Sequence, residues 1–209
     1  MTRVVVVRHG QTRWNVEARI QGHGDSDLTE EGIAQADAIA RRLVDEPCDV
    51  LISSDLGRAH ETAKRIAARN GHAIVLDSRF RERAFGIGEG MSYEELDRRW
   101  PGAFSRVGVV DPDLAVPGGE SRRRFHERVC EAFEDVAVKH AGRNVIVVAH
   151  GGVLTSLYRH IHGIALSQIH PIPIANASYS VMRHDGARWA IETWSDTGHL
   201  DGAETFEEA

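Results

Sequence analysis

The chain has 209 residues, of which 42% are hydrophobic and 27% are charged, and its formal net charge is −6 at pH 7. This length and composition predict a globular protein with one domain and its own core. The acidic balance argues against the basic surface of a nucleic-acid-binding protein, and no apolar run approaches the roughly 20 residues that span a bilayer.

The first half of the chain alternates strand patterns with helix patterns. Four consecutive valines at 4–7 predict a strand that is buried on both faces of a sheet. The amphipathic pattern at 27–46 predicts a helix that Thr29 caps and Pro47 ends. The alternation continues with a strand at 49–54, a helix at 56–71 and a strand at 72–77.

The second half contains one segment of different composition. Residues 84–120 are rich in glycine and proline, and we expect a loop-rich excursion with one short helix at 92–100. The alternation then resumes with a helix at 121–141, a strand at 144–149, a helix at 153–163 and a β-hairpin at 177–195. This order predicts an α/β fold, a three-layer αβα sandwich around a mainly parallel sheet, with residues 1–209 forming a single domain.

Two of the predicted strands end in the same way. The valine strand runs into Arg8 and His9 before a glycine, and the strand at 144–149 runs into His150 and another glycine. Ligands of open α/β sheets bind beyond the carboxyl ends of the strands, and parallel strands present those ends at one edge. One such histidine is weak evidence in a chain with twelve, but two identical endings favour a shared site.

Further charged residues follow neighbouring strands. Arg58 lies in the first turn of the helix at 56–71, where a cation opposes the helix dipole, and this placement is explained if Arg58 faces an anion. Glu82 follows the strand at 72–77, and partial burial near anions would raise its pKa and make it a proton donor. Taken alone, Arg58 also fits a solvated helix arginine and Glu82 an ion-paired acid. Together with the two histidines, they form a complete set for phosphoryl transfer without a metal.

Six stretches of the sequence occur in a fixed order, namely VRHGQTRWN, QGHGDSDLTEEGIAQA, ISSDLGRAHETA, FRERAFGIGEG, PGGES and VVAHGG. In that order they resemble the motifs of the phosphoglycerate-mutase-like branch of the histidine phosphatase superfamily. The resemblance implies that His9 is a nucleophile that becomes phosphohistidine, and that Glu82 acts first as the acid and then as the base. It further implies that the phosphoryl group is held by Arg8, Arg58 and His150, that Asn15 contacts a phosphate oxygen, and that the pocket is lined by Gln21, Gly22 and Gly151.

The core motifs do not separate a phosphatase from a mutase, because both activities use this site. The short path from 82 to 120 resembles the phosphatase branch, and it favours a metal-independent phosphatase acting on small phosphate monoesters. The mutases of the family carry an extra basic pair that holds the substrate carboxylate, and Arg98-Arg99 or the arginines at 122–124 could replace it. We interpret these arginines instead as surface charge on helices. Gly88 stands where the family usually has tryptophan, a loss that is expected to change or widen substrate recognition. The alternatives are a cofactor-dependent phosphoglycerate mutase and a non-catalytic module that binds phosphate ligands.

The remaining expectations concern what the chain binds and where it works. We expect no cofactor and no metal, because there is no HExxH motif and the two cysteines, Cys48 and Cys130, are isolated. The expected partner is a small phosphorylated substrate, and we expect binding to neither nucleic acid nor a membrane. The excursion at 84–120 is expected to cover the active site. We also expect a monomer or a homodimer, working in a reducing cytoplasm.

Overall fold

A computed structural model describes residues 1–103 and 110–200 of the chain. Its centre is one sheet with the strand order β3-β2-β4-β1-β5-β6. The strands are β1 (Thr2–Arg8), β2 (Val50–Ser53), β3 (Ile74–Leu76), β4 (Asn144–Ala149), β5 (Tyr179–His184) and β6 (Trp189–Asp196). The four strands from β3 to β1 in this order are parallel, and β5 and β6 form the predicted antiparallel hairpin. The prediction of a mainly parallel sheet is confirmed.

The helices of the described ranges are α1 (Arg13–Val16), α2 (Glu30–Arg42), α3 (Gly57–Asn70), α4 (Tyr93–Arg99), α5 (Arg122–Lys139) and α6 (Gly151–His162). The side chain of Thr29 accepts a hydrogen bond from the backbone N–H of Gly32, as expected of the residue that caps α2. Helix α2 ends at Arg42, a few residues before the predicted end, and the chain passes through turns to Pro47.

Two hydrophobic clusters lie on opposite faces of the sheet. Val4 and Val6 of β1 pack with α5 and α6, whereas Val5 and Val7 pack with α2 and α3. All four valines are buried, because successive side chains of a strand point to opposite faces and helices cover both. The three-layer αβα sandwich predicted from the sequence is therefore confirmed.

The segment at 84–120 has a small hydrophobic core of its own. Residues 104–109 of this segment lie outside the described residues. Phe85, Leu96 and Val116 are the centre of this core. Arg83, which directly precedes the segment, holds separate parts of it together, because its buried guanidinium donates hydrogen bonds to the carbonyl oxygens of Ala103 (3.0 Å) and Glu120 (2.9 Å). The sequence did not predict this role for Arg83 or the short helix α1.

None of the helices in the described ranges has the length and the apolar composition that crossing a membrane requires.

Candidate active site

The parallel pairing of β1 with β4 brings the two histidines together. Arg8 is in register with Ala149, so the next residues, His9 and His150, leave the sheet side by side. Their ring centroids are 5.2 Å apart, with a tilt of 59° between the ring planes. His9 is 3% exposed and His150 is fully buried, so both rings are shielded from bulk water. The structure thus places both histidines at the shared edge that the sequence predicted.

A backbone hydrogen bond determines which nitrogen of His9 is the nucleophile. Nδ1 lies 2.7 Å from the carbonyl oxygen of Gly10, which can only accept, so Nδ1 carries the proton and donates it. A neutral ring then has its lone pair on Nε2, the nitrogen that is able to attack phosphorus. Gly10 is required because an added Cβ would lie 2.3 Å from the carbonyl oxygen of Gly32 at the start of α2.

Ser54 is the hydrogen-bond partner of His150. Nε2 of His150 lies 2.8 Å from Oγ of Ser54, and that Oγ also accepts a hydrogen bond from the backbone N–H of Leu56 at 3.3 Å. When the hydroxyl of Ser54 donates to Nε2, the proton of a neutral ring lies on Nδ1. Nδ1 is buried and has no hydrogen-bond partner among the described residues, so it is available to donate to a bound oxyanion.

Arg8 and Arg58 put two guanidinium groups beside the histidines. Both are almost fully buried, at 1% and 2% exposure. Arg58 donates hydrogen bonds to the carbonyl oxygens of Gly22 (2.8 Å) and Gly24 (2.9 Å), which fixes its direction. The carboxylate of Asp25 lies 3.6 Å from Arg58 and accepts from the first N–H groups of α3. Asp25 thereby supplies the negative charge that the N-terminus of α3 favours, which offsets the unfavourable position of Arg58.

Glu82 is held in place by two backbone donors. Its Oε2 accepts a hydrogen bond from the N–H of Gly152 at 2.9 Å, and its Oε1 accepts from the N–H of Arg83 at 2.8 Å. A Cβ at position 152 would lie 2.1 Å from Oε1 of Glu82, so only glycine permits this contact. The carboxyl group is therefore anchored to the first turn of α6, next to His150.

These groups surround an open cavity of about 290 Å³. Of the predicted site residues, the cavity is lined by Arg8, His9, Gln21, Gly22, Arg58, Glu82 and Gly151. His150 is outside the lining, although its ring centroid lies 5.2 Å from that of His9. The Oδ1 of Asn15 accepts hydrogen bonds from Thr12 (3.0 Å) and Asn176 (3.3 Å), and Asn15 is outside the lining of the cavity. Its predicted phosphate contact stays a prediction.

Residues 4–197 match the family model described as histidine phosphatase superfamily, branch 1. The chain belongs to this superfamily. It is 41% identical over 202 residues to phosphoglycerate mutase-like protein 4 of Arabidopsis thaliana, covering 95% of this chain and 86% of the relative. It is 40% identical over 203 residues to the metal-independent phosphoserine phosphatase of the same plant, covering 96% and 84%.

Solved structures agree with the sequence relatives. The mycobacterial glucosyl-3-phosphoglycerate phosphatase in complex with VO3 superposes with a TM-score of 0.82 at 32% identity, covering 93% of this chain and 99% of that chain. The predicted family, the predicted fold and the predicted class of enzyme, a histidine phosphatase, are confirmed by these comparisons.

One prediction was wrong for the outer wall of the histidine phosphatase cavity, the part of the lining that contains Arg122 and Arg159. Arg122 was interpreted as surface charge, but it is partly buried, lines the cavity and donates a hydrogen bond to the carbonyl oxygen of Leu166 at 2.9 Å. Arg159 of α6 lines the same wall, and burial lowers the pKa of Arg122 to about 10, with the charge of Arg159 contributing. Arg123 and Arg124 are exposed, as predicted. The sequence offered Arg122 as one of several possible basic residues but did not separate it from its exposed neighbours, because contact with the 163–174 segment decides its environment.

Gly88 also differs from expectation. It is buried under α4, where an added Cβ would lie 2.3 Å from Cδ1 of Leu96, and it does not line the cavity. Leu96 thus occupies the space beside the glycine. Phe85 and Tyr93 are the aromatic residues that line the cavity on this side.

The electrostatic environment keeps both site histidines neutral. Burial is the largest cause that holds the pKa of His9 well below its usual value, and the charges of Arg58 and Arg8 add to it. Burial likewise holds the pKa of His150 well below its usual value, with Arg58 and His9 contributing. A neutral His9 keeps the lone pair on Nε2 that nucleophilic attack needs.

The lowered pKa values predict how the site responds to acid. A free histidine is half protonated at about pH 6.5, whereas His9 and His150, with lowered pKa values, stay neutral at that pH and below it. We expect their ring ¹⁵N chemical shifts to stay those of neutral imidazole between pH 7.5 and about 6. A protonation midpoint of His9 at or above pH 6.5 would contradict the electrostatic description of the site.

Proposed function

We propose that the chain hydrolyses small phosphate monoesters through a phosphohistidine on His9, without a metal. The observation that carries this proposal is the hydrogen bond from Nδ1 of His9 to Gly10, because it leaves Nε2 as the nucleophile in a cavity walled by Arg8 and Arg58. Phosphatase-named relatives support the same conclusion.

The first step transfers the phosphoryl group to the enzyme. Nε2 of His9 attacks phosphorus, a P–N bond forms, and the bond between phosphorus and the ester oxygen breaks. Glu82 donates its proton to the departing oxygen, so the product leaves as a neutral alcohol. The guanidinium groups of Arg8 and Arg58 and the Nδ1–H of His150 stabilise the charge that develops on the phosphoryl oxygens.

The second step returns the enzyme to its starting state. The Glu82 carboxylate takes a proton from water, the water oxygen adds to phosphorus, and the P–N bond breaks with its electron pair returning to Nε2. Inorganic phosphate is released and Glu82 is again protonated. The N–H groups at the start of α6, beginning at Gly151, favour the anion throughout, because a helix N-terminus is electropositive.

The outer wall of the cavity favours a substrate with a second negative group. Arg122 and Arg159 line this wall, where both donate hydrogen bonds to carbonyl oxygens of the 163–174 segment. A planar guanidinium binds carboxylate through two parallel hydrogen bonds. We therefore infer that the preferred monoesters are small and carry a carboxylate.

We also infer that residues 1–209 act as a single domain in which the 84–120 segment covers the site. Phe85 and Tyr93 from this segment line the cavity, which supports the inference. The oligomeric state that we infer is a monomer or a homodimer. The two cysteines are free thiols, which is consistent with the proposed reducing cytoplasm.

A phosphoglycerate mutase is the second candidate, because a mutase uses the same phosphohistidine and a relative is named a probable phosphoglycerate mutase. A non-catalytic phosphate-binding module is disfavoured, since both His9 and Glu82 are present and line the cavity.

A panel of phosphate esters tests the proposal. We expect EDTA-treated enzyme to release phosphate, and phosphoserine to be hydrolysed at least about 10-fold more efficiently than phosphoethanolamine, which lacks the carboxylate. Isomerisation of 3-phosphoglycerate with a bisphosphoglycerate primer and no net phosphate release would instead establish a mutase. Loss of phosphate release after EDTA treatment would contradict metal independence.

A pair of arginine variants tests the carboxylate site within the same panel. Arg122→Gln is expected to remove most of the preference for phosphoserine while leaving phosphoethanolamine hydrolysis almost unchanged. Arg124→Gln, an exposed neighbour on α5, serves as the matched control and is expected to behave like the wild type. An unchanged preference in Arg122→Gln would contradict the assigned role of the outer wall.

A further inference from the structure

A second cluster of reactive side chains lies between α5 and α6, outside the lining of the active-site cavity. His126 and Cys130 are four residues apart on α5 and share one face of that helix. His160 comes from α6, which packs against α5. The ligand-forming atoms of the three side chains all lie within 4.8 Å of one another. The cluster thus combines one thiol and two imidazoles in a small volume.

The spacing within the cluster fits a tetrahedral zinc ion. Sγ of Cys130 lies 3.5 Å from Nε2 of His126. Zinc bonds of about 2.3 Å to sulfur and about 2.0 Å to nitrogen place those atoms about 3.6 Å apart at a tetrahedral angle. His160 is exposed, so its ring is able to rotate and close the remaining gap of roughly 1 Å.

A carboxylate stands beside the cluster on the next turn of α5. Oε1 of Glu134 lies 3.6 Å from Nε2 of His160, and it accepts a hydrogen bond from Nε1 of Trp189 at 2.7 Å. Carboxylates next to metal-bound histidines orient the ring and increase its basicity. A Cys130 thiolate and the Glu134 carboxylate together balance the charge of a divalent cation.

We propose that His126, Cys130 and His160 form a binding site for a divalent transition metal, with Zn²⁺ the best match. One thiolate and two imidazoles select zinc-like cations over Mg²⁺ and Ca²⁺, which prefer oxygen ligands. On binding, a metal–sulfur bond replaces the S–H bond of Cys130, and the proton passes to solvent.

The consequence of the site is a crosslink between α5 and α6. Phe125 and Arg159, the chain neighbours of two of the ligands, both line the active-site cavity. A bound metal would therefore fix the relative position of the two helices that form this wall, without taking part in phosphoryl transfer.

Titration of the full-length, tag-free, EDTA-treated protein with Co²⁺ and Zn²⁺ tests the site. We expect one Co²⁺ per chain, with a thiolate-to-cobalt charge-transfer band in the near ultraviolet and visible bands of tetrahedral cobalt. Zn²⁺ at about 100 times its Kd is expected to raise the Tm by roughly 5 °C or more, and Mg²⁺ is expected to leave it unchanged.

Matched variants separate the cluster from the other cysteine and from a neighbouring histidine. Cys130→Ser is expected to abolish the charge-transfer band, and His160→Gln to weaken binding at least about 10-fold. Cys48→Ser and His162→Gln are expected to bind as the wild type does. The proposal is overturned by a wild-type chain that takes up no stoichiometric metal, by a band that survives Cys130→Ser, or by a band that Cys48→Ser removes.

Discussion

Replacing His9 with asparagine is expected to reduce turnover of phosphate monoesters by roughly 10⁴- to 10⁶-fold, because the covalent route is lost with the nucleophile. The buried arginines stay in place, so the variant is expected to bind phosphate esters with an affinity similar to that of the wild type. Steady-state phosphate release measures the first effect, and isothermal titration with phosphoserine measures the second.

A remote histidine provides the control for this variant. His72 lies between α3 and β3, and His72→Asn is expected to keep wild-type turnover. Circular dichroism and thermal unfolding establish that His9→Asn is folded. Turnover in a folded His9→Asn enzyme within about 10-fold of the wild type would exclude the covalent mechanism.

Replacing Glu82 with glutamine is expected to separate the two steps of the reaction. Esters with poor leaving groups, such as phosphoserine, need protonation of the departing oxygen, so their first step is expected to slow by about 10²- to 10⁴-fold. p-Nitrophenyl phosphate needs little protonation, so its first step is expected to remain fast. Its second step is slowed because no base activates water, and stopped-flow absorbance should show a burst of one nitrophenol per active site.

The comparison of phosphoserine with p-nitrophenyl phosphate also tests whether Glu82 is the proton donor. An equal slowing of the first step for phosphoserine and p-nitrophenyl phosphate would mean that Glu82 is not the proton donor. Glu120→Gln is a suitable comparison, because Glu120 is a nearby acid that pairs with Arg128 at 2.7 Å and does not line the cavity. Glu120→Gln is expected to change the turnover of both esters by the same factor, and its reaction with p-nitrophenyl phosphate is expected to show no burst.

The inner part of the site could be predicted because it follows from local patterns. The strand–histidine–glycine endings predicted that His9 and His150 meet, and the parallel register of β1 and β4 brings them together. Arg58 lies at the N-terminus of α3, where a cation is unfavourable, and this position predicted that it faces an anion. The structure shows that the carboxylate of Asp25, beside Arg58 and the first N–H groups of α3, offsets the unfavourable position. Such features depend on neighbours in one strand or one helical turn, which the sequence shows directly.

The outer wall of the cavity and the cluster of His126, Cys130 and His160 could not be placed from the sequence, because both depend on packing between distant segments. Arg122 lines the cavity only because the 163–174 segment folds over the start of α5. Nothing in the order of residues indicates that Ser54 hydrogen-bonds to His150. His126 and Cys130 show a helical spacing, but the third ligand of the cluster comes from a different helix, so no sequence motif contains all three.

Identification of the covalent intermediate tests the central claim most directly. Glu82→Gln enzyme is mixed with ³²P-labelled p-nitrophenyl phosphate, quenched in alkali within the burst, and digested for mass spectrometry. We predict a phosphoryl group on the peptide that contains His9, stable in alkali and lost in acid, as expected of a P–N bond. A phosphoryl group on any other residue, or a burst without a labelled peptide, would contradict the account.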